Sequence, residues 1–259
     1  MQNLDTDFIV KNISTKHIGR NIRWSKKTTS TNTDAKNNYN LPHGTLFLCE
    51  KQTNGRGRLN RSWDSQSNEG IYMSLLLKSH VPPENISQIT LVAGIAVCRA
   101  LSEFAVQIKW PNDIIINSKK VCGILCEADF RDNNTNVICG IGINVNTKTF
   151  PPEISDVATS LFLETKSIYK REDIICRILS EFEKLYEDFT ENGLKNIIYE
   201  YKKHCANLNR EARVIFNNKT VDGTAVDITD NGELLIKTNS ETISIKSGEA
   251  SIRGMLGYI

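Results

Sequence analysis

Two apolar runs in mid-chain, KKVCGILCEADF at 119–130 and NVICGIGINVN at 136–146, constrain the fold most. Both read as strands, and Asn133-Asn134 reads as the hairpin turn between them. Further strands are expected at Asn21–Lys27, at Gly44–Glu50 (GTLFLCE) and at Gly70–Lys78 (GIYMSLLLK). QIKWPNDIII at 107–116 reads as strand, turn at Pro111-Asn112-Asp113, strand. Apolar positions Ile89, Ala93, Val97, Ala100, Leu101 and Phe104 recur at helical spacing and predict a helix over 84–104. Ile174, Ile178, Phe182, Leu185 and Phe189 predict a strong amphipathic helix, with a shorter one over about 193–205. Strands in succession with helices before and after imply an α+β fold, a mixed or antiparallel sheet packed on helices.

From Arg210 the pattern changes to short strands, ARVIF, TVDGTAVDI, ELLIK and TISIK, with an Asn231-Gly232 hairpin signal. That pattern predicts a small SH3-like β-barrel, so the expected division is 1–206 and 207–259. Residues 1 to about 19 predict one short helix, too little for a winged-helix DNA-binding domain ahead of the rest.

Charge excludes some functions. The chain has 259 residues, with 32 basic and 30 acidic side chains and a net charge of +2. No global basic field points to nucleic acid. Seven cysteines lie mostly in apolar runs and form no CxxC, which favours a reducing compartment and a cytoplasmic protein. No His or Cys pair has convincing metal-ligand spacing, and no window approaches the roughly 18 apolar residues of a membrane span. GIGINV at 140–145 lacks the third glycine of a dinucleotide fingerprint, and no GxxxxGK[ST] is present.

The most polar conspicuous stretch is QTNGRGRLNRSW at 52–63. Gly55 and Gly57 alternate with Arg56 and Arg58, and Arg61 follows. Glycine permits close backbone approach, and the arginine fork suits phosphate and carboxylate oxygens. Ordering a residue costs roughly 1–2 kcal/mol, and a charge-assisted hydrogen bond returns about 1.5–3 kcal/mol. Three arginine contacts therefore do not hold twelve residues, which predicts a loop that orders over an anion. A solvated basic turn is the alternative.

Four segments stand together: STN at 30–32, QTNGRGR at 52–58, KWPND at 109–113 and GIGINVN at 140–146. With the C-terminal barrel, their content and order resemble the biotin–protein ligase family over residues 22 to 257. The resemblance implies a class II synthetase-like catalytic domain. It also implies activation of biotin by ATP, with Mg2+, to biotinyl-5′-AMP, then transfer to one lysine of a biotin carboxyl carrier domain. Lys109 is implied as the catalytic cation, with Arg58 also catalytic. Ser30, Thr31, Asn32, Gln52, Arg56, Gly57, Arg58, Lys109 and Gly123 are implied to bind biotin, with Ile124 lining its pocket. Gly55, Arg61, Lys120, Asn144 and Arg253 are implied to contact the nucleotide. No metal-ligating residue is expected. The resemblance allows a homodimer, and no DNA or membrane partner is expected.

Bland readings stand beside these. Ser30, Thr31 and Asn32 are all plausible helix N-caps. Lys109 fits a surface lysine at a strand end, and Arg61 and Arg253 fit exposed cations. Trp63 and Trp110 fit packing, and Asp113 fits a turn. Leu59-Asn60 replaces the Arg-Gly that some relatives carry in the loop, leaving fewer cations for pyrophosphate. A lipoate or other acyl ligase of the same superfamily and a non-catalytic RNA-binding module are the competing functions.

Overall fold

The computed structural model describes residues 3–79, 81–131, 134–216, 219–246, 250–254 and 258–259. The chain begins with a short helix α1 (Thr6–Asn12), strand β1 (Ile22–Ser25), helix α2 (Thr31–Asn37) and strands β2 (Thr45–Cys49) and β3 (Ile71–Ser79). Helix α3 (Ile89–Ala100) leads to strands β4 (Gln107–Lys109), β5 (Asp113–Ile116), β6 (Lys119–Arg131) and β7 (Asn134–Ile143). Helices α4 (Leu161–Thr165), α5 (Arg171–Asn192) and α6 (Ile198–His204) follow.

These seven strands form one sheet in the order β1-β2-β3-β7-β6-β5-β4. Only β1 and β2 run parallel; every other neighbouring pair is antiparallel. The two long runs read from the sequence are thus the sheet's centre, paired from Cys122↔Ile143 to Arg131↔Asn134. Asn133, half of the expected hairpin turn, lies outside the described residues.

The faces of the sheet are unequal. One carries the main core, in which α3 and α5 pack with Leu48, Leu75, Ile124, Ile141 and Phe182 buried. The other carries a small cluster of Ala35, Phe47, Leu76 and Ile138 beneath α2. α2 is only seven residues long, so it covers only part of that face. The functional cleft lies beside it.

The helix expected over 84–104 is divided. Pro82 and Pro83 open a 3-10 turn over Pro83–Gln88, α3 takes Ile89–Ala100, and a second 3-10 turn covers Ser102–Phe104. Proline fixes φ and lacks the N–H that an α-helix interior requires, so the regular helix starts beyond it. The expected helix over 193–205 is shorter, Ile198–His204. α4 carries no strong sequence signal, but Ser160 caps it through a hydrogen bond from Leu163 N.

The C-terminal strands β8 (Glu211–Phe216), β9 (Lys219–Ile228), β10 (Leu234–Lys237), β11 (Thr242–Ile245) and β12 (Ala250–Gly254) form a separate antiparallel sheet. Its order is β11-β10-β9-β8-β12. Gly232 adopts φ 82° in the Asn231-Gly232 turn, as the hairpin signal requires. The sheet is tied to the first by Trp110, whose Nε1 donates to Gly232 O at 3.0 Å and whose N donates to Asn207 Oδ1 at 2.7 Å.

Candidate active site

Side chains alternate across a strand, so Gly140 and Gly142 share one face of β7. Gly123 of β6 stands opposite Gly142 in the register. Three glycines therefore leave a patch of sheet bare of side chains. The indole of Trp63 lies on it: a Cβ at Gly142 would sit 2.6 Å from Trp63 Cε2, and one at Gly123 2.8 Å from Trp63 Cζ3. The GIGINV segment works as a floor, not as a dinucleotide fingerprint.

The wall of this cleft is polar. Ser30 is the N-cap residue of α2 but makes no capping bond, and its buried side chain lines the cleft. Thr31 N donates to Gln52 Oε1 at 3.0 Å, and Gln52 Nε2 donates to Ser65 Oγ at 3.0 Å. The Ser74 hydroxyl lies 2.7 Å from Thr31 Oγ1 and 2.6 Å from Asn32 Oδ1. Asn32 Nδ2 donates to Glu127 Oε2 at 2.7 Å. Capping alone therefore does not account for the Ser-Thr-Asn triplet.

The Gly-Arg loop folds as a narrow hairpin. Trp63 N donates to Gly55 O at 2.8 Å and Gly57 N to Arg61 O at 2.7 Å, with a 3-10 turn over Arg58–Asn60 at its tip. Leu59 takes φ 53° there. Arg56 Nη2 reaches Glu127 Oε1 at 2.5 Å, and Arg58 Nη1 donates to Asn112 Oδ1 at 3.1 Å. Counting arginine contacts alone underestimates what holds this loop. Its own backbone bonds and the Trp63 platform contribute as well.

Beyond Trp63 lies a cluster of charge. Lys120 Nζ is 2.5 Å from Asp113 Oδ1 and 5.2 Å from the centre of a Trp63 ring. Burial pushes Asp113 up, but the Lys120 ammonium, a Tyr258 hydrogen bond and Lys109 outweigh it and hold the carboxyl below its ordinary range. Tyr258 OH donates to Asp113 Oδ2 at 2.5 Å. Lys109 is only 5% exposed; its Nζ donates to Tyr258 O and lies 3.4 Å from the Tyr258 ring centre. Burial pulls the Arg58 guanidinium below its ordinary value, with Asp113 opposing that shift.

Three cavities with shared walls adjoin here. The glycine-floored cleft has about 50 Å³ and is lined by Ser30, Thr31, Asn32, Gln52, Arg56, Gly57, Arg58, Lys120, Gly123 and Ile124. The second, about 430 Å³, is lined by Arg58, Arg61, Lys109, Asp113, Lys120 and Tyr258. The third, about 250 Å³, is lined by Arg61, Asp64, Lys120, Asn144 and Phe150. Trp63 and Lys120 line all three. Small-molecule sites run to roughly 300–1,000 Å³, so the first cleft must widen for a ligand, and Trp63 is the group lying across it. Among the described residues the buried indole Nε1 has no hydrogen-bond partner, which makes it a donor available to a ligand.

The structure thus brings most of the expected residues to one place and distributes them. Lys109 lines the second cavity and not the glycine-floored one. Asn144 is buried, and its Nδ2 donates to Thr159 O at 3.0 Å. Gly55 is a close-approach position, where a Cβ would sit 2.5 Å from Trp63 O. Arg253 pairs through its backbone with Arg213, and its side chain lies outside the described residues. Trp110 packs, as its bland reading held. Sequence reasoning missed Glu127, Tyr258, Gly140 and Gly142 as site residues. It named Asn112 only as a turn, although Asn112 also holds Ile124 through Nδ2→O at 2.9 Å and accepts Ile124 N at 2.9 Å.

A model of the Biotin/lipoate A/B protein ligase family matches residues 23–144, and one of the biotin protein ligase C terminal domain matches residues 208–253. The bifunctional ligase/repressor BirA of Bacillus subtilis is 38% identical over 248 residues, spanning 93% of this chain and 76% of that protein. The chain belongs to the biotin–protein ligase family. Within the family, the biotin--[acetyl-CoA-carboxylase] ligase of Mycobacterium tuberculosis is 28% identical over 80% of this chain and 78% of its own length. A biotin protein ligase from Aquifex aeolicus, solved with biotin and ATP, superposes with a TM-score of 0.82 at 34% identity, covering 91% of this chain and 99% of that one. Both sheets described above, the mixed one packed with helices and the small antiparallel one, match the fold of a biotin ligase. Among the described residues no helix is long and apolar enough to cross a membrane.

Proposed function

We propose that this chain is an ATP-dependent biotin–protein ligase. It joins biotin and ATP as biotinyl-5′-AMP with release of pyrophosphate. It then transfers the biotinyl group to a lysine of a biotin carboxyl carrier domain of a biotin-dependent carboxylase. The observation that carries this reading is the joint at Trp63 and Lys120, which line both a narrow, polar, glycine-floored cleft and a larger cation-lined cavity.

The chemistry needs that joint. A carboxylate attacking an α-phosphate brings two anions together, and fixed cations must offset their repulsion. Lys120, oriented by Asp113, is the ammonium common to both sides and takes the role that the resemblance implied for Lys109, with Arg58 beside it. Lys109 and Arg61 face the second cavity and serve the phosphates of ATP, which enters as its Mg2+ complex. Ser30, Thr31, Asn32 and Gln52 supply the donors and acceptors that biotin's ureido ring requires. The loop over the cleft shields the mixed anhydride from water. Residues 1–206 form the ligase core and residues 207–259 the second domain, in a cytoplasmic protein.

The first half-reaction tests this. Biotin-dependent exchange of labelled pyrophosphate into ATP, competed by unlabelled biotin analogues and not by lipoate, is the expected result. Exchange driven by lipoate and not by biotin would overturn the biotin assignment.

A further inference from the structure

We infer that Glu127 is a positioning residue: it latches the ring end of the cleft by holding Arg56, and it fixes the amide of Asn32. This rests on the ligase reading above.

Glu127 lies on β6, two and four residues beyond Leu125 and Gly123, so strand alternation puts it on the cleft face. Its Oε1 and Oε2 both stand 2.5 Å from Arg56 Nη2, and Oε2 also accepts Asn32 Nδ2 at 2.7 Å. The loop's first arginine is thereby drawn to the Ser-Thr-Asn end of the cleft, while Arg58 engages Asn112 nearer Lys120. The two arginines close opposite ends.

A carboxylate only accepts hydrogen bonds, so Asn32 must present its NH2 to Glu127. That leaves Asn32 Oδ1 for Ser74, 2.6 Å away, and Ser74 is 2.7 Å from Thr31 Oγ1. Leu125 O accepts the same NH2 at 3.3 Å, so the carboxylate sets the loop's docking and, together with that carbonyl, the polarity of the wall that faces the ureido ring. The Arg56 and Glu127 side chains are 41% and 26% exposed, and an ion pair that open is weak by itself. Its position on a loop end makes it a release gate instead of a stability element. The second bond, to buried Asn32, gives it a separate effect on ligand fit.

The test uses five variants of the full chain (Glu127→Gln, Glu127→Ala, Arg56→Glu, Glu127→Arg and the last two combined) and three readouts: biotinyl-adenylate release by chase, biotin KM, and kcat for pyrophosphate exchange. Glu127→Gln keeps an acceptor for Asn32 and loses the charge facing Arg56. It is expected to speed adenylate release about three- to tenfold, with a smaller rise in biotin KM. Glu127→Ala removes the acceptor as well and is expected to raise biotin KM further. Arg56→Glu combined with Glu127→Arg is expected to slow release again relative to either single change, which a merely structural role would not produce. Unchanged release in Glu127→Gln, with exchange intact, would overturn the latch alone. Absence of exchange in the unmodified chain would overturn the ligase reading and the latch with it.

Discussion

Gly123 and Gly142 face each other across the centre of the sheet, and neither leaves room for a Cβ beneath the Trp63 indole. The cleft exists because two strands omit side chains at adjoining positions. A methyl group at Gly142 would meet the indole at 2.6 Å. Overpacking of this kind costs about 1–3 kcal/mol. Gly142→Ala should therefore displace Trp63, lower thermal stability modestly and weaken biotin binding at least tenfold by calorimetry. Unchanged biotin affinity would show that the glycine floor is not the ligand surface.

Lys120 and Lys109 should separate kinetically. Removing one preorganised charge from a developing transition state costs about 10²–10³ in kcat. Lys120→Ala should lose that factor in biotin-dependent pyrophosphate exchange. Lys109→Ala should act mainly through the KM for ATP, because its ammonium lines only the second cavity of the two. Arg58→Gly should loosen adenylate retention while adenylation survives. Full exchange in Lys120→Ala would remove the role assigned to it.

Asp113 gives the stability a pH signature. Its folded-state pKa is lowered, with burial opposed by Lys120, Tyr258 and Lys109. The unfolded chain then binds the proton more readily, so stability rises with pH across that interval. The contribution is complete above the ordinary carboxylate value of about 3.9 and is lost as pH falls through the folded one. Denaturation followed downward from about pH 5 to well below the ordinary carboxylate value should show this loss, and Asp113→Asn should flatten it. An unchanged acid limb in that variant would contradict the assignment.

The buried pair Arg171–Glu50, 2.8 Å apart with side chains 5% and 0% exposed, secures the base of the loop strand. Glu50 Oε1 also accepts Leu4 N at 2.5 Å. Breaking such a pair from one side costs about 3–5 kcal/mol. Arg171→Met should lower the unfolding free energy by that order and increase proteolysis near residues 3–13. A change below about 1 kcal/mol would show the pair to be dispensable.

Local signals carried much of this molecule. Continuous apolar runs place β2, β3, β6 and the start of β7 within two residues of their observed ends, while β7 stops at Ile143, short of the run's end at 146, and Asn231-Gly232 marks its turn. The Gly-Arg loop and the KWPND turn announce charge chemistry by composition. What the sequence conceals is set by register and by distance along the chain. Glu127 sits 71 residues from Arg56, and nothing local marks it as that arginine's partner. Tyr258 meets Asp113 across 145 residues. Gly140 and Gly142 look like a truncated fingerprint until the β6–β7 register sets Gly142 against Gly123. The start of α3 is misplaced because apolar spacing says nothing of the prolines before it.

The most direct measurement is the mass of a biotin carboxyl carrier domain after incubation with this protein, biotin and Mg2+-ATP. The account expects a gain of one biotinyl group, lost when the carrier's target lysine is replaced and sharply slowed by Lys120→Ala. An unmodified carrier, with no pyrophosphate released, would contradict it.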